Sequence, residues 1–410
     1  MDMEQKRILI LTADAGFGHR SAANAIARAL RETHPHDCVV EIVNPLEDRR
    51  APSLLRDSQA DYDRMVREIP GLLKFGFEAS DNVVPIALAE SAFTVMLYEV
   101  MRDILRRIQP DAIVLTYPIY QAPLVALFTI QRKIIPTLTT VTDLGNVHGA
   151  WFNNRIDQYI VGGSKGRDQA VAAGIKASRV HITGIPVNPE LAQAGEASPS
   201  EIRVELGWQP DRTTFLVVGS RRVENLPEIV HVLNHSGFPI QLALVAGGDD
   251  ELHHKFKAMQ WHIPVAIYGY VNNLPQMMHA ADAVISKAGG LIVTEALACG
   301  LPLLLVNVIP GQETGNADYV VENGAGDVAK DGLSALEVVS HWMENDCALL
   351  AERKSNALRS GKPNAAYAAA DIAWQEAQRG PQLNPRRKYL GQQRMRRLLN
   401  RFQVSWKDKD

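Results

Sequence analysis

The stretch AVISKAGGLIVTEALACGLPLLLV, residues 283–306, decides the fold class of this 410-residue chain. It begins with a short apolar strand, continues through a turn that contains Gly289 and Gly290, and then forms a helix over 291–299 and a second apolar strand. A strand, a glycine turn, a helix and another strand form a βαβ unit, which builds parallel sheets. The stretch therefore predicts an α/β fold, with the start of the helix at the carboxyl edge of a sheet.

Apolar strands and helices alternate in this way in both halves of the chain. In the first half, a strand over 8–12 is followed by a glycine-bearing turn and an alanine-rich helix over 20–31. Between the halves, residues 189–212 are polar and contain Pro189, Pro199 and Pro210, which indicates a linker. Two doubly wound, Rossmann-like domains in tandem enclose a ligand cleft at the carboxyl ends of their strands. The predicted boundaries are 1–190 for the first domain, 191–212 for the linker, 213–364 for the second domain, 365–380 for a C-terminal helix and 381–410 for a tail.

Composition restricts the class of protein further. The chain is 46% hydrophobic and 22% charged, as in an ordinary globular protein. Its cysteines, Cys38, Cys299 and Cys347, lack CxxC spacing, which argues against a disulfide framework and a structural zinc and suits a reducing compartment. The acidic start is unlike a secretory signal, and the sequence has no apolar run of about 18 residues. We therefore expect a cytoplasmic protein without a spanning helix.

The glycine turn in the quoted stretch predicts an anion site. Gly289 and Gly290 allow backbone amides to approach an anion closely, and the helix N-terminus adds about half a positive charge. This combination holds a diphosphate without a metal ion. Glu295 lies one turn into the helix, where a carboxylate accepts hydrogen bonds from both hydroxyls of a ribose. Alternatively, the two glycines only allow the helix to pack closely on its strand.

A polar loop, PGQETGN at residues 310–316, follows the next strand at the same edge of the sheet. The turn itself requires only glycine and proline. Gln312, Glu313 and Asn316 are therefore additional polar groups beside the predicted diphosphate site, and such groups suit the hydroxyls of a sugar. The alternative is a solvated loop without a ligand.

A candidate general base follows the first strand, in DAGFGHR at residues 14–20. The glycines resemble a dinucleotide fingerprint whose third glycine is absent, so that signal is weak. His19 lies at the start of a helix, where the N-terminus lowers the pKa of an imidazole and keeps it neutral and able to accept a proton. His19 alternatively only caps the turn. Asp143 and His148 follow another strand of the same sheet, and Asp143 either orients the base or the acceptor hydroxyl or forms a turn.

With these motifs in hand, the chain resembles the monogalactosyldiacylglycerol synthase family, which also includes the processive bacterial diacylglycerol glucosyltransferases. It is more distantly similar to the transferase that adds N-acetylglucosamine to the lipid-linked peptidoglycan precursor. The matching segments occur in order over residues 8–326. They are residues 12–19, 141–144, 151–153, 184–186, 269–275, 287–290, 294–296 and 310–313, together with Asn316.

The resemblance implies a GT-B fold of glycosyltransferase family 28, an inverting transfer and 1,2-diacylglycerol as acceptor. It implies that His19 is the general base and that Leu291 stands where the family often has a threonine. The donor would be a UDP-sugar, with the uracil at Tyr270 and Val271 and the diphosphate at the glycine turn. The remaining donor residues implied are Gly18, Gly219, Gly289, Gly290, Thr294, Glu295, Gln312, Glu313 and Asn316.

A lipid acceptor requires contact with a membrane, and the tail offers a surface for it. Residues 381–410 contain nine Lys or Arg against two Asp, and apolar residues recur there at helical spacing. A basic amphipathic helix of this kind lies in the plane of an anionic membrane, unless it packs on the protein body. The basic residues are confined to the tail, which disfavours a nucleic-acid partner. The predicted acceptor or membrane residues are His148, Trp151, Arg394, Arg397, Arg401, Phe402 and Trp406.

A second stretch, residues 53–108, is rich in aromatic and aliphatic residues. In the family this region lies beside the acceptor cleft, whereas the pattern alone equally indicates core. The sequence thus predicts a peripheral enzyme on the inner face of the cell membrane that transfers galactose or glucose from UDP-galactose or UDP-glucose to diacylglycerol, without cofactor or metal. The alternative enzyme is a UDP-N-acetylglucosamine 2-epimerase, which leaves the basic tail unexplained. A nucleotide-sugar sensor without catalysis is disfavoured because His19 and Asp143 are both present.

Overall fold

The computed structural model of the protein describes residues 5–14, 17–51, 83–192, 197–219, 223, 225–309, 311 and 313–384. Several predicted site residues lie outside this part of the chain. They are Gln312, Arg394, Arg397, Arg401, Phe402 and Trp406, and residues 53–82 of the aromatic stretch lie outside it as well.

The first domain is built on a parallel sheet of six strands. The strands in this part of the chain are β1 (Lys6–Leu11), β2 (Cys38–Val43), β3 (Ala112–Leu115), β4 (Lys133–Ile134), β5 (Thr137–Thr140), β6 (Gln158–Val161) and β7 (Val180–Ile182). The six strands of the sheet lie in the order β2-β1-β3-β5-β6-β7, and every neighbouring pair is parallel. The helices are α1 (Phe17–Thr33), α2 (Val83–Ile108), α3 (Gln121–Ile130) and α4 (Ser164–Ala172).

Both faces of this sheet are apolar, as a sheet covered by helices on both sides requires. In β1, Ile8 and Ile10 pack with the alanines of α1, whereas Leu9 and Leu11 pack on the opposite face with α2. The side chains of α2 are described from residue 94 onwards, and among them Leu97, Val100, Met101, Ile104, Leu105 and Ile108 are buried. This described part of the aromatic stretch therefore contributes to the core of the first domain.

The second domain repeats the arrangement with a six-stranded parallel sheet of order β10-β9-β8-β11-β12-β13. The strands are β8 (Thr213–Val218), β9 (Ile240–Val245), β10 (Val265–Tyr268), β11 (Ala283–Ser286), β12 (Leu303–Val306) and β13 (Gly326–Ala329). The helices are α5 (Pro199–Glu205), α6 (Leu226–Asn234), α7 (Asp250–Ala258), α8 (Leu274–Ala280), α9 (Gly290–Ala298), α10 (Thr314–Glu322) and α11 (Gly332–Ser360), which is interrupted by non-helical residues 344–347. The prediction of two doubly wound domains is confirmed. No helix among the described residues is long and apolar enough to cross a membrane.

Residues 191–212, predicted as a linker, are largely a folded part of the second domain. Helix α5 starts with a capping box formed by Ser198 and Glu201. Behind it, Ile202 and Trp208 are buried in the core of the second domain. Arg203 donates to the carbonyl of Ala280 at 2.7 Å and pairs with Asp282 at 2.7 Å. The polar residues that suggest a linker therefore include side chains with specific tertiary partners.

The end of the chain returns to the first domain. Helix α12 (Ala365–Arg379) packs five alanines against β1, β3 and α1. Strand β14 (Gln382–Leu383) then pairs antiparallel with β4. Asn384 is buried and donates to the carbonyl of Phe128 at 2.7 Å. Residues 385–410 consequently start from the first domain.

Candidate active site between the domains

His19 lies in the first turn of α1 and is held by the ends of two strands. Its Nδ1 is 2.8 Å from the carbonyl oxygen of Thr116 and 3.1 Å from the hydroxyl oxygen of Thr142. A carbonyl only accepts hydrogen bonds, so Nδ1 carries the proton and Nε2 keeps its lone pair. Burial lowers the pKa of His19 to about 4. The imidazole is therefore neutral near pH 7, mainly because it is desolvated, rather than through the helix terminus that the sequence argument invokes.

Aromatic rings fix the orientation of this imidazole. The ring of Tyr117 lies edge-on to His19 at a centroid distance of 4.8 Å, and the ring of Trp151 lies at 6.0 Å. Trp151 is 3% exposed, and its carbonyl accepts a hydrogen bond from Gln121 at 2.8 Å. A buried indole does not insert into a membrane, so Trp151 is a wall of the site in this structure. Tyr117 has no motif around it, and sequence reasoning missed it.

Asp143 is half-buried and follows Thr142 directly. Burial raises the pKa of Asp143 to about 6, a hydrogen bond from Trp151 acts against this, and the charge of Glu313 adds to it. Glu313 belongs to the second domain, so the two carboxyl groups approach each other across the cleft. Near pH 7 most Asp143 side chains are ionised.

The glycine turn after β11 faces this group. Gly289 is the N-cap residue of α9 and has no side chain with which to cap the helix, which leaves the first backbone amides available to an anion. A Cβ on Gly290 would lie 2.6 Å from the carbonyl oxygen of Thr142. Only glycine at position 290 therefore permits the first domain to come this close to the start of α9.

Glu313 is almost fully buried beside the glycine turn. It forms an ion pair with Lys287 and accepts a hydrogen bond from the backbone amide of Ile309 at 3.2 Å. A Cβ on Gly289 would lie 2.8 Å from the ammonium nitrogen of Lys287. Lys287 therefore brings a positive charge next to the predicted diphosphate position, a role that the sequence does not assign to it.

Two predicted donor residues lie on α9 itself. Glu295 is half-buried, and burial raises its pKa to about 8. Thr294 is buried and donates its hydroxyl to the carbonyl of Gly290 at 2.6 Å. In this structure the Thr294 hydroxyl proton is therefore engaged within the helix and does not point to a phosphate.

Asn316 joins the two domains. Its side-chain oxygen accepts from the amide of Leu144 at 3.0 Å, and its side-chain nitrogen donates to the carbonyl of Ala288 at 3.0 Å. Leu144 follows Asp143, and Ala288 precedes the glycine turn. Both polar groups of Asn316 are thus occupied by the backbone, although the sequence predicts that they face a sugar.

The remaining predicted residues lie around this centre. Tyr270 follows β10 and is 72% exposed, and Val271 packs partly on the domain core. Gly219 follows β8, where a Cβ would lie 2.5 Å from Leu252, so a packing reason alone accounts for this glycine. Gly18 lies in α1 with open space around it. The Nδ1 of His148 accepts from the amide of Ala150 at 3.1 Å and so caps a short helical turn.

Two facing parallel-sheet domains, with His19 on one side and a glycine-capped helix on the other, have the arrangement of the GT-B fold. Solved structures of low identity share this fold. MurG of Acinetobacter baumannii has a TM-score of 0.59 and 15% identity, with 90% of this chain and 99% of that chain covered. A UDP-GlcNAc 2-epimerase from Neisseria meningitidis has a TM-score of 0.57 and 13% identity, with 91% and 100% covered. The fold alone therefore does not separate the two enzyme classes.

Sequence relatives separate the glycosyltransferase class from the epimerase class. Residues 19–187 match the model of monogalactosyldiacylglycerol synthases, and residues 213–370 match the C-terminal domain of glycosyltransferase family 28. A probable monogalactosyldiacylglycerol synthase of Glycine max is 30% identical over 373 residues, which is 88% of this chain and 70% of that protein. Monogalactosyldiacylglycerol synthase 1 of Arabidopsis thaliana is 29% identical, with 88% and 69% covered. The chain belongs to the monogalactosyldiacylglycerol synthase family, as the resemblance in its motifs predicts.

Proposed function

We propose that this glycosyltransferase transfers galactose from UDP-galactose to the free hydroxyl of 1,2-diacylglycerol and inverts the anomeric carbon. The observation that carries the mechanism is the juxtaposition of a neutral His19 with the glycine-capped start of α9 across the cleft. The choice of sugar and acceptor is supported by the names of the relatives, which are monogalactosyldiacylglycerol synthases.

The transfer is a single displacement. Nε2 of His19 accepts the proton of the acceptor hydroxyl while the hydroxyl oxygen forms a bond to the anomeric carbon. The bond between that carbon and the β-phosphate oxygen breaks, and its electron pair leaves with UDP. The amides at the start of α9 and the ammonium of Lys287 stabilise the charge that develops on the diphosphate. This proposal invokes no metal ion.

Other groups complete the proposed roles. Asp143 follows the Thr142 residue that contacts His19, so its carboxylate is placed to orient the acceptor hydroxyl. Glu313, whose negative charge is balanced by the ammonium of Lys287, is placed to accept hydrogen bonds from the sugar. Glu295 is placed one turn into α9 for the ribose, with the uracil near Tyr270 and Val271.

The lipid acceptor requires docking to a membrane, and we place the protein at the inner face of the cell membrane. The support is the composition of the tail, because residues 381–410 contain nine Lys or Arg against two Asp. The described chain ends at Asn384, which is bound to the first domain, the domain that carries His19. Attraction to anionic lipids is on the order of 1 kcal/mol for each basic residue near the surface.

The test is a product assay with each sugar donor. The protein is incubated with diacylglycerol vesicles and radiolabelled UDP-galactose, UDP-glucose or UDP-N-acetylglucosamine, and the lipids are separated by thin-layer chromatography. We expect a labelled monogalactosyl lipid, formed at least ~100-fold more slowly with His19→Ala. A glucosyl lipid instead would correct the donor. Epimerised UDP-N-acetylglucosamine without any lipid product would overturn the proposal.

A further inference from the structure

We propose that Asn316, together with Gly145 and Gly315, forms a latch that sets the distance between the general base and the diphosphate site. In this proposal Asn316 is a positioning residue and does not bind the sugar. The inference deepens the proposed function and rests on it in one respect, because turnover is measured as glycosyl transfer. Its other evidence is the set of contacts where the two domains meet.

The Asn316 amide lies buried between the two domains. Asn316 is 3% exposed and makes one hydrogen bond to each domain, to Leu144 and to Ala288. The contact with Leu144 spans 172 residues of sequence. A carboxamide on a side chain of this length both accepts and donates hydrogen bonds, whereas an ionised carboxylate of the same length only accepts them. The side chain at position 316 therefore matches a backbone amide on one side and a carbonyl on the other.

Two glycines, one from each domain, approach each other closely beside Asn316. A Cβ on Gly145 would collide with the carbonyl of Gly315, and a Cβ on Gly315 would collide with the amide of Asn146. Neither glycine is among the described residues with positive φ, so no turn conformation requires glycine at these positions. Absence of a side chain instead allows the two backbones to touch.

The loop that contains Gly145 also contacts the second domain through an apolar side chain. Leu144 is 3% exposed and belongs to the hydrophobic core of the second domain, although it is part of the first. On the exposed rim of the same interface, Lys165 of α4 pairs with Glu322 of α10 at 2.7 Å. The contact thus has a buried apolar centre, a buried polar bridge and a charged rim.

The docked loop is also the loop that holds the base. Thr142, two residues before Leu144, contacts the Nδ1 of His19 at 3.1 Å, and its carbonyl faces Gly290. A shift of this loop therefore changes the position of His19 and its separation from the start of α9 together. Misplacement of reacting groups by about 1 Å costs roughly 100-fold in rate, so the latch acts on turnover rather than on binding of UDP.

The experiment compares Asn316→Ala and Gly145→Ala with Asp318→Ala, an exposed position on the same helix as Asn316. Hydrogen exchange of the Leu144 amide is measured with saturating UDP and no acceptor, beside UDP affinity and kcat. Asn316→Ala removes two buried hydrogen bonds, and we expect kcat to fall roughly 5- to 150-fold with faster exchange at Leu144. UDP affinity changes by less than about threefold, and Asp318→Ala matches the wild type.

Gly145→Ala is the decisive variant because it lies in the other domain and removes no polar group. It should reproduce both effects, and Asn316→Asp, which keeps the size of the side chain, should also lower kcat. Each variant is checked for a wild-type melting temperature.

If Gly145→Ala leaves kcat and Leu144 exchange unchanged, the latch does not exist. If Asn316→Ala raises KM for the donor alone and leaves exchange unchanged, Asn316 is a sugar ligand. Exchange and UDP binding need no galactosyl transfer, so an error in the proposed donor or acceptor leaves this test intact.

Discussion

Replacement of Asp143 by Asn separates the titration of Asp143 from that of His19. Both groups have shifted pKa values, about 6 for Asp143 and about 4 for His19, and burial is the first cause of each. Burial disfavours the charged form, so it raises the pKa of an acid and lowers that of an imidazole. If activity requires ionised Asp143 and neutral His19, the rate falls on acidification first because Asp143 takes up a proton.

The magnitude follows from these two values. At pH 5, about a tenth of Asp143 is ionised, whereas about nine tenths of His19 is still neutral. The wild-type kcat/KM at pH 5 is therefore about tenfold below its value at pH 8. In Asp143→Asn only His19 titrates, so kcat/KM at pH 5 stays within about twofold of its value at pH 8, and the acid limb moves to about pH 4.

The assay measures initial rates of lipid glycosylation at low donor concentration from pH 4.5 to 8.5. The absolute rate of Asp143→Asn is lower than that of the wild type, and only the shape of its profile is diagnostic. Asp318→Asn makes the same charge change at an exposed site and should keep the wild-type profile. An acid limb that stays near pH 6 in Asp143→Asn would assign the titration to His19 and refute the account of its burial.

Four further predictions concern the base, the ribose site, the metal and the tail. His19→Ala lowers kcat by ~10²–10⁴ with little change in UDP affinity measured by calorimetry, and unchanged kcat would remove His19 from the mechanism. Burial raises the pKa of Glu295 from 4.5 to about 8 in the folded protein, so between these two values the unfolded chain has lost a proton that the folded protein keeps. Relative to Glu295→Gln, the wild-type melting temperature therefore drops as pH rises from 5 to 8 and levels off above pH 8, and Glu352→Gln, the same change at an exposed position, is the matched control. EDTA leaves the initial rate within about twofold, and a loss restored by added metal would contradict the role given to α9. Removal of residues 385–410 abolishes sedimentation with anionic vesicles and leaves UDP binding intact, and retained sedimentation would assign membrane contact to another surface.

The elements that local chemistry determines could be predicted from the sequence. The strand, glycine turn and helix at 283–299 are found as β11 and α9 within about one residue, because glycine, apolar runs and strand length are local signals. The stretch predicted as a linker, 191–212, contains a helix and buried side chains for a tertiary reason. Arg203 is polar in sequence, yet it is buried by its bonds to Ala280 and Asp282.

The candidate site likewise contains residues that local patterns predict and contacts that depend on tertiary structure. His19, Asp143 and Glu313 follow strands or glycine turns, and parallel sheets bring such positions to one cleft. The partners of Asn316 depend on how two domains meet, and no local pattern at position 316 points to Leu144. Thr294 faces into its own helix because a threonine hydroxyl readily bonds the carbonyl four residues earlier, a competing contact within α9 itself.

The return of α12 to the first domain makes the second domain an insertion in the chain of the first. Two covalent connections then join the halves. At the second connection, a Cβ on Gly184 would lie 2.5 Å from the Cβ of Lys362, so the outgoing and returning segments run side by side. The two crossings of the chain therefore lie together and tie the halves covalently at one place. The contacts around Asn316, Leu144 and Gly290 hold the halves together non-covalently at a second place.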